Sequence, residues 1–276
     1  MKSALICVTY GDNWEKLSAT LDSVYRNSDQ PYHLFLIDNA SKGGTLGLYH
    51  RENLPHTTLV RNPKNLWWGG GINQGICLAL HDDFEYLFFL NDDIEVPRGW
   101  LGRLTKLLSE QRQIGAVGPL NSSSRDWQGY DNVRRNHREL SLQPLQHVDR
   151  RDLEGMNRAI RNQGEPWCNI KGMLAFFCTG FRREAVEKAG YLDPDFFPLM
   201  CGDDNAYCME VEKAGFRLAL ALDVYVLHHA GHSVNALDTE IRKKQKATAA
   251  YLLQQKYPEY YGSMLSHVDW KTVLGG

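Results

Sequence analysis

Residues 86–93 read Tyr86-Leu87-Phe88-Phe89-Leu90-Asn91-Asp92-Asp93, a short apolar run that stops abruptly at three polar residues. A run this short, rich in aromatic and aliphatic side chains, suits a strand buried on both faces. The same grammar occurs twice upstream. Ala4 to Thr9 is apolar and β-branched and leads into Tyr10-Gly11-Asp12, and Leu34 to Ile37 ends at Asp38-Asn39-Ala40-Ser41. Thr57 to Val60 adds another strand. Helical spacings lie between: Trp14, Leu17, Leu21 and Val24, capped by Asp12 or Asn13; Ile72, Ile76, Ala79 and Leu80, after a loop from Asn62 to Gly71; and Leu101, Leu104, Leu107 and Leu108, before a strand from Gly115 to Gly118. Strands alternating with helices predict an α/β fold with a mainly parallel central sheet flanked by helices.

Beyond Asn121 the pattern changes. As far as Gln163 the chain is polar, rich in Arg and Asn and poor in apolar periodicity, which predicts an inserted loop with a short helix or a mobile flap. Regular structure resumes with a strand from Met173 to Phe181. A helix from Arg183 to Ala189 is stopped by Gly190, and another from Asn205 to Ala214 by Gly215. Arg217 to Ala221 and Val224 to Leu227 read as two strands leading to His228, and a basic amphipathic helix runs from Thr239 to Lys256.

The totals are those of an ordinary globular chain: 276 residues, 43% hydrophobic, 23% charged, net charge −2. A near-balanced charge gives no long-range positive field for nucleic acid. No apolar run approaches the ~20 residues that span a bilayer. Six cysteines without CxxC spacing read as free thiols in a reducing compartment, which points to the cytoplasm. The run Arg242-Lys243-Lys244-Lys246 reads as a solvated charged face, with peripheral contact at the inner membrane surface as the other reading.

In an open parallel sheet, ligands bind outside the carboxyl ends of the strands. The clusters after Thr9, at Asp38-Asn39 and at Asn91-Asp92-Asp93 would converge on one such rim, although Asp and Asn also favour turns in their own right. Adjacent acids repel unless a positive group is near. Asp92-Asp93 therefore suits Mg²⁺ or Mn²⁺ shared with a diphosphate, or else a solvated helix cap. In Asn62-Pro-Lys-Asn-Leu-Trp-Trp-Gly-Gly-Gly-Ile-Asn-Gln-Gly75, three consecutive glycines permit close approach by a ligand, and the helix start favours anions. Of Trp67 and Trp68, one is expected to stack on a sugar ring and one to close the core. Gly202-Asp203-Asp204 opens a helix, so one acid is expected as its N-cap and the other as a general base. His228, His229 and His232 follow a strand, where one histidine completes the Asp93 metal site, meets a phosphate, or is structural.

Taken in order, these segments resemble the family 2 glycosyltransferases of the GT-A, Rossmann-like fold, which transfer sugars from nucleotide-sugars with inversion. The resemblance runs through Val8-Thr9-Tyr10, Ile37-Asp38-Asn39-Ala40-Ser41, the loop Asn65 to Gly75, Leu90-Asn91-Asp92-Asp93 at the DXD position, Gly115 to Pro119, and Thr179-Gly180-Phe181. It continues through Gly202-Asp203-Asp204, Cys208, Ala214-Gly215-Phe216, His228 to Ser233 and Leu252 to Tyr257, closest in flavour to rhamnosyl- and galactofuranosyl-transferases. Two departures stand out: Asn91 replaces the first acid of DXD, and Asp203-Asp204 stands where Glu-Asp is common.

The resemblance implies a donor site of Thr9, Tyr10, Asp38, Asn65, Trp68, Gly70, Asn73, Asn91 and Asp92, with Asp38 on the nucleobase. It implies Asp93 and His228 as ligands of Mn²⁺ or Mg²⁺, and Asp204 as catalytic base with Asp203 as the near alternative. The donor would be a UDP- or dTDP-sugar and the acceptor a hydroxyl on a glycan, lipid-linked sugar or other molecule. Residues 1–238 would form the transferase domain: 1–120 the nucleotide half, 121–165 the polar insertion, 166–238 the acceptor half. Residues 239–276 would be a helical extension. Two alternatives are a nucleotidyltransferase, disfavoured because Tyr10 to Trp14 holds one glycine and no cation, and a non-catalytic nucleotide-sugar binder.

Overall fold

The computed structural model describes residues 2–42, 54–123, 126–161, 163–229 and 239–265. The strands are β1 (Ser3–Thr9), β2 (Tyr32–Asp38), β3 (Thr57–Arg61), β4 (Tyr86–Asn91), β5 (Ile94–Glu95), β6 (Ile114–Asn121), β7 (Trp167–Ile170), β8 (Cys178–Arg182) and β9 (Arg217–His228). The helices are α1 (Trp14–Asn27), α2 (Trp67–His81), α3 (Trp100–Glu110), α4 (Tyr130–Asn136), α5 (Leu153–Ile160), α6 (Arg183–Ala189), α7 (Asp203–Lys213), α8 (Thr239–Lys256) and α9 (Pro258–Leu265).

The described strands form a mixed, mostly parallel sheet in the order β3-β2-β1-β4-β8-β6-β9-β5, with β7 alongside β9. β1 pairs in parallel with β2 and β4, and β6 with β9, while β8 lies antiparallel between β4 and β6. Two reversals restore the direction, so β1, β2, β4, β6 and β9 all end on one rim. Strand alternation divides the core between the two faces. Ala4, Ile6 and Val8 of β1 join Phe35, Ile37, Leu87 and Phe89 under α2. Leu5 and Cys7 join Leu34, Leu36, Phe88 and Leu90 beneath α1 and α3.

Several expectations are corrected. α2 begins at Trp67, so Gly69, Gly70 and Gly71 are helical and not a loop. The polar insertion is folded: Tyr130, Val133, Leu142, Met156 and Ile160 bury themselves on Leu120, Leu220 and Tyr225 as a third core. Its apolar residues are few and divided between two short helices, which hides their period. Residues 171–177 precede the strand β8 instead of forming part of it, and β7 was not anticipated. The two C-terminal strands are one, β9, whose pairing with β6 jumps from Ala221 to Tyr225. The intervening bulge explains the break in its pattern. All six cysteines are free. No helix among the described residues is long and apolar enough to cross a membrane.

Candidate active site

The rim gathers Thr9, Asp38, Asn91-Asp92-Asp93, Asn121 and His228 from the ends of β1, β2, β4, β6 and β9. Thr9 donates its hydroxyl to Asp92 Oδ2 at 2.7 Å, tying the first strand to the acid pair. Burial raises the Asp92 carboxyl to about 6 and the neighbouring Asp93 adds to this, against the Thr9 and Asn13 hydrogen bonds.

β5 carries the chain from Asp93 directly alongside β9, with Ile94 opposite His228. This brings Asp93 Oδ1 within 3.4 Å of His228 Nε2, and His229 N–H donates to the Asp93 carbonyl at 2.9 Å. Burial pushes the Asp93 carboxyl up, but the His228 hydrogen bond and charge, with Lys16 and His229, outweigh it and hold it below its ordinary value. The His228 ring stacks on Phe177 with centroids 5.1 Å apart, and Ser122 Oγ accepts from its backbone N–H at 2.9 Å. Asn91 Nδ2 lies 3.3 Å from the same imidazole nitrogen.

Two ligands held at about 2.1 Å in neighbouring octahedral positions sit roughly 3 Å apart, so the Asp93–His228 spacing fits a shared Mg²⁺- or Mn²⁺-sized cation. Such cations commonly take only one or two protein groups and complete their shell with phosphate and water. The described residues hold no cluster of three or more His, Cys, Asp and Glu suited to a metal. His232 and Ser233 lie outside the described residues.

Asp38 is fully buried at the end of β2. Its Oδ1 accepts from Ser41 N–H at 2.8 Å, while Oδ2 has no hydrogen bond, with Arg61 Nε 3.9 Å away. A buried carboxylate oxygen without a donor is costly unless a ligand supplies one. Beside it, Asn62 Nδ2 donates to Asn39 Oδ1 at 2.9 Å and to Gln74 Oε1 at 2.7 Å, locking β2 to α2. Asn65 Oδ1 accepts from Trp67 N–H, and Asn39 Nδ2 donates to Trp67 O, both at 2.8 Å. These bonds hold Trp67 at φ +65°, a region costly for a bulky residue and often found at functional sites.

Three residues expected at the donor site make other contacts in the structure. Trp67 is the exposed indole at 38%, whereas Trp68 packs into the core against Phe176. A Cβ on Gly69 would stand 2.2 Å from Phe197 Cε1, on Gly70 3.0 Å from Leu66 Cβ, and on Gly71 2.7 Å from Val8 Cγ1. Gly69 and Gly71 therefore let α2 lie close against Phe197 and Val8, whereas the nearest atom to Gly70 belongs to Leu66 at the start of its own helix. Asn73 uses both ends of its amide on Leu192, donating to its carbonyl and accepting from its N–H at 2.9 Å. It is a clip between α2 and the 192 segment. Tyr10 stands exposed at the end of β1.

Across the rim, α7 begins with Asp203 and Asp204. Neither acid is the N-cap, a correction: Gly202 caps at φ +90°, where a Cβ would also meet Phe196 Cδ1 at 2.9 Å. Both carboxyls are half-buried at the helix start. Burial raises both above the usual carboxylate range, and for Asp204 the charges of Asp203 and Asp126 push the same way. Asp126 in turn accepts from Asn121 Nδ2 at 2.8 Å at the end of β6. Hydrogen bonds and ion pairs thus link Asp126 to Asn121, Ser122 to His228, and His228 to Asp93, while the Asp126 charge acts on Asp204. Sequence reading missed Asn121, Ser122 and Asp126 because it ended their strand at Gly118.

The model of the family described as glycosyl transferase family 2 matches residues 4–190. No curated protein matches the chain. Among solved structures, the fold is similar to a Pyrobaculum calidifontis mannosyltransferase, PcManGT, in complex with GDP-Man and Mn²⁺, at TM-score 0.63 and 18% identity, covering 99% of this chain and 72% of that one. S. aureus TarS in complex with UDP-GlcNAc gives 0.60 at 14% identity, covering 92% and 67%. GalNAc-T7 with UDP, GalNAc and Mn²⁺ gives 0.62 at 17% identity, covering 95% and 49%. At these identities the likeness concerns the fold.

Proposed function

The chain belongs to glycosyl transferase family 2, and from that premise we propose that it moves a sugar from a nucleotide-diphosphate sugar to a hydroxyl acceptor with inversion at C1. The observation that carries this reading is the rim itself, with Asp93 3.4 Å from His228 and a second acid, Asp204, at the start of α7, whose carboxyl burial raises to about 7.

Asp38 Oδ2, which has no hydrogen bond and lies 3.9 Å from Arg61 Nε, suits the ring N–H of uracil or thymine, which supports a UDP- or dTDP-sugar. The sequence motifs support a rhamnosyl- or galactofuranosyl-transferase-like subtype. Thr9, Tyr10, Asn91 and Asp92 line the path from base to diphosphate in this reading, and the exposed Trp67 is the one of the two indoles that takes the stacking role. Asp93 and His228 would hold Mn²⁺ or Mg²⁺, as the Mn²⁺ complexes of two similar structures support. When bound, such a cation supplies positive charge beside the leaving diphosphate. Thr9 orients Asp92, while Phe177 stacks on the His228 ring and Ser122 holds the His228 backbone.

Asp204 takes the proton of the acceptor hydroxyl as that oxygen bonds to C1 of the sugar. The C1–O bond to the diphosphate breaks, and the nucleoside diphosphate leaves with the bonding pair. A base of this kind contributes about 10²- to 10⁴-fold. Asp204→Asn is therefore expected to keep nucleotide affinity and lose turnover by at least about 10²-fold. Release of nucleoside diphosphate from a panel of nucleotide-sugars, with titration calorimetry alongside, checks both; near-normal turnover would remove Asp204 from the mechanism.

A further inference from the structure

A groove of about 740 Å³ lies along α7, lined by Trp127, His137, Asn169, Lys171, Glu212 and Arg217 among others. It adjoins the candidate base at one end. Trp127 follows Asp126, whose charge acts on Asp204, and Met173 on the groove wall accepts a hydrogen bond from Asn205 Nδ2 at 2.9 Å. From Asp204 to Glu212 is eight helical residues, about 12 Å at the α-helical rise, so the groove continues well past the space of one accepting sugar.

Its walls narrow the occupant. Lys171 and Arg217 face Glu212 and Glu139, so the charge nearly balances and no polyanion is selected. Its apolar side chains are Trp127, Ile170 and Met173, one of them an indole. The side chains of Asn169, Lys171, Arg217, Glu139 and Glu212 supply both donors and acceptors. Mixed donors and acceptors beside an indole match a sugar chain, whose hydroxyls both donate and accept and whose C–H faces lie on aromatic rings. We propose that this groove holds the sugar residues behind the accepting hydroxyl, which makes the acceptor an oligosaccharide and Trp127, Lys171 and Glu212 its specificity-determining residues. The proposal rests on the glycosyltransferase reading and deepens it.

The test uses the full chain and gluco-, galacto-, manno- and rhamno-oligosaccharides from methyl glycoside to pentasaccharide. Saturation-transfer NMR reads contact with the protein without turnover, and KM is measured wherever transfer occurs. Contact is expected to grow with chain length, with KM falling at least about tenfold from monosaccharide to trisaccharide. Trp127→Ala and the surface variant Lys171→Ala should each erase that gain while the nucleotide Kd stays put, so one of them remains informative if the other fails to fold. Equal contact and KM at every length, a gain that survives both variants, or no saccharide bound at all would overturn the proposal. Failure of the glycosyltransferase reading looks different: no nucleotide-sugar is consumed, whatever the groove binds.

Discussion

Asp203 and Asp204 hold their protons more tightly in the folded chain than a free carboxyl does, because burial disfavours the charged form and, at Asp204, the neighbouring Asp203 charge adds to it. An acid raised by folding binds more protons folded than unfolded, so its protonated form favours the fold and that contribution is lost as pH rises from the usual carboxylate range through the raised value. The ligand-free protein should accordingly lose stability on going from about pH 5 to about pH 8, and Asp204→Asn should melt higher than wild type at the upper pH, with the gap closing at the lower one. Turnover should run the opposite way, falling as acid protonates the base. Thermal melts and rates across this range check both signs; a lower melting temperature for Asp204→Asn at high pH would show that the carboxylate is not strained by its site. At this scale the sequence located Asp93 just beyond a strand, Asp204 in the first turn of a helix and His228 at a strand's end, because polar residues stand out against apolar runs. It could not show that Asp38 Oδ2 would lack a donor, since that depends on where Ser41 and Arg61 fall around it.

Helix α2 shows what the sequence leaves hidden between elements. Three glycines in a row read as a ligand-binding loop, yet Gly69 faces Phe197, Gly71 faces Val8, and Gly75 faces Ile6 Cγ2, where a Cβ would stand 2.2 Å away. Glycine is required in both situations, and only the partner across the gap distinguishes them. Asn73 makes the same point, because its clip on Leu192 spans 119 positions. Asn73→Ala should destabilise the fold by about 1–3 kcal/mol, from two lost hydrogen bonds and the backbone groups they leave unpaired. Denaturant midpoints read that loss, and calorimetry should find nucleotide affinity unchanged. A large drop in affinity with normal stability would return Asn73 to the donor site.

Over the whole molecule, the alternation of strand and helix was legible because it is written in local periods, and the mostly parallel sheet followed from it. The insertion was not legible, since its few apolar residues complete their cluster only with partners on β6 and β9, distant in sequence. Asn157, fully buried in α5, fixes it there by donating to Tyr225 O at 2.8 Å and accepting from Tyr225 N–H at 2.9 Å. The bond lies beyond the β9 bulge, where β6 no longer follows the same register. Asn157→Leu should cost about 1–3 kcal/mol for each backbone group left unpaired. Hydrogen exchange should show α4 and α5 losing protection first, with β1, β2 and β4 retaining theirs; uniform loss across the sheet would mean that the insertion is not a separately opening unit.

The claim on which the molecule-wide account depends is that Asp93, set beside His228 by the β5–β9 pairing, serves a divalent cation and through it the diphosphate. Titration calorimetry of UDP and dTDP into wild type and Asp93→Ala, each with Mn²⁺ and with EDTA, addresses it directly. Tight binding is expected for wild type with Mn²⁺ alone, weakened about equally by EDTA and by the substitution; indistinguishable affinities in all four titrations would contradict it.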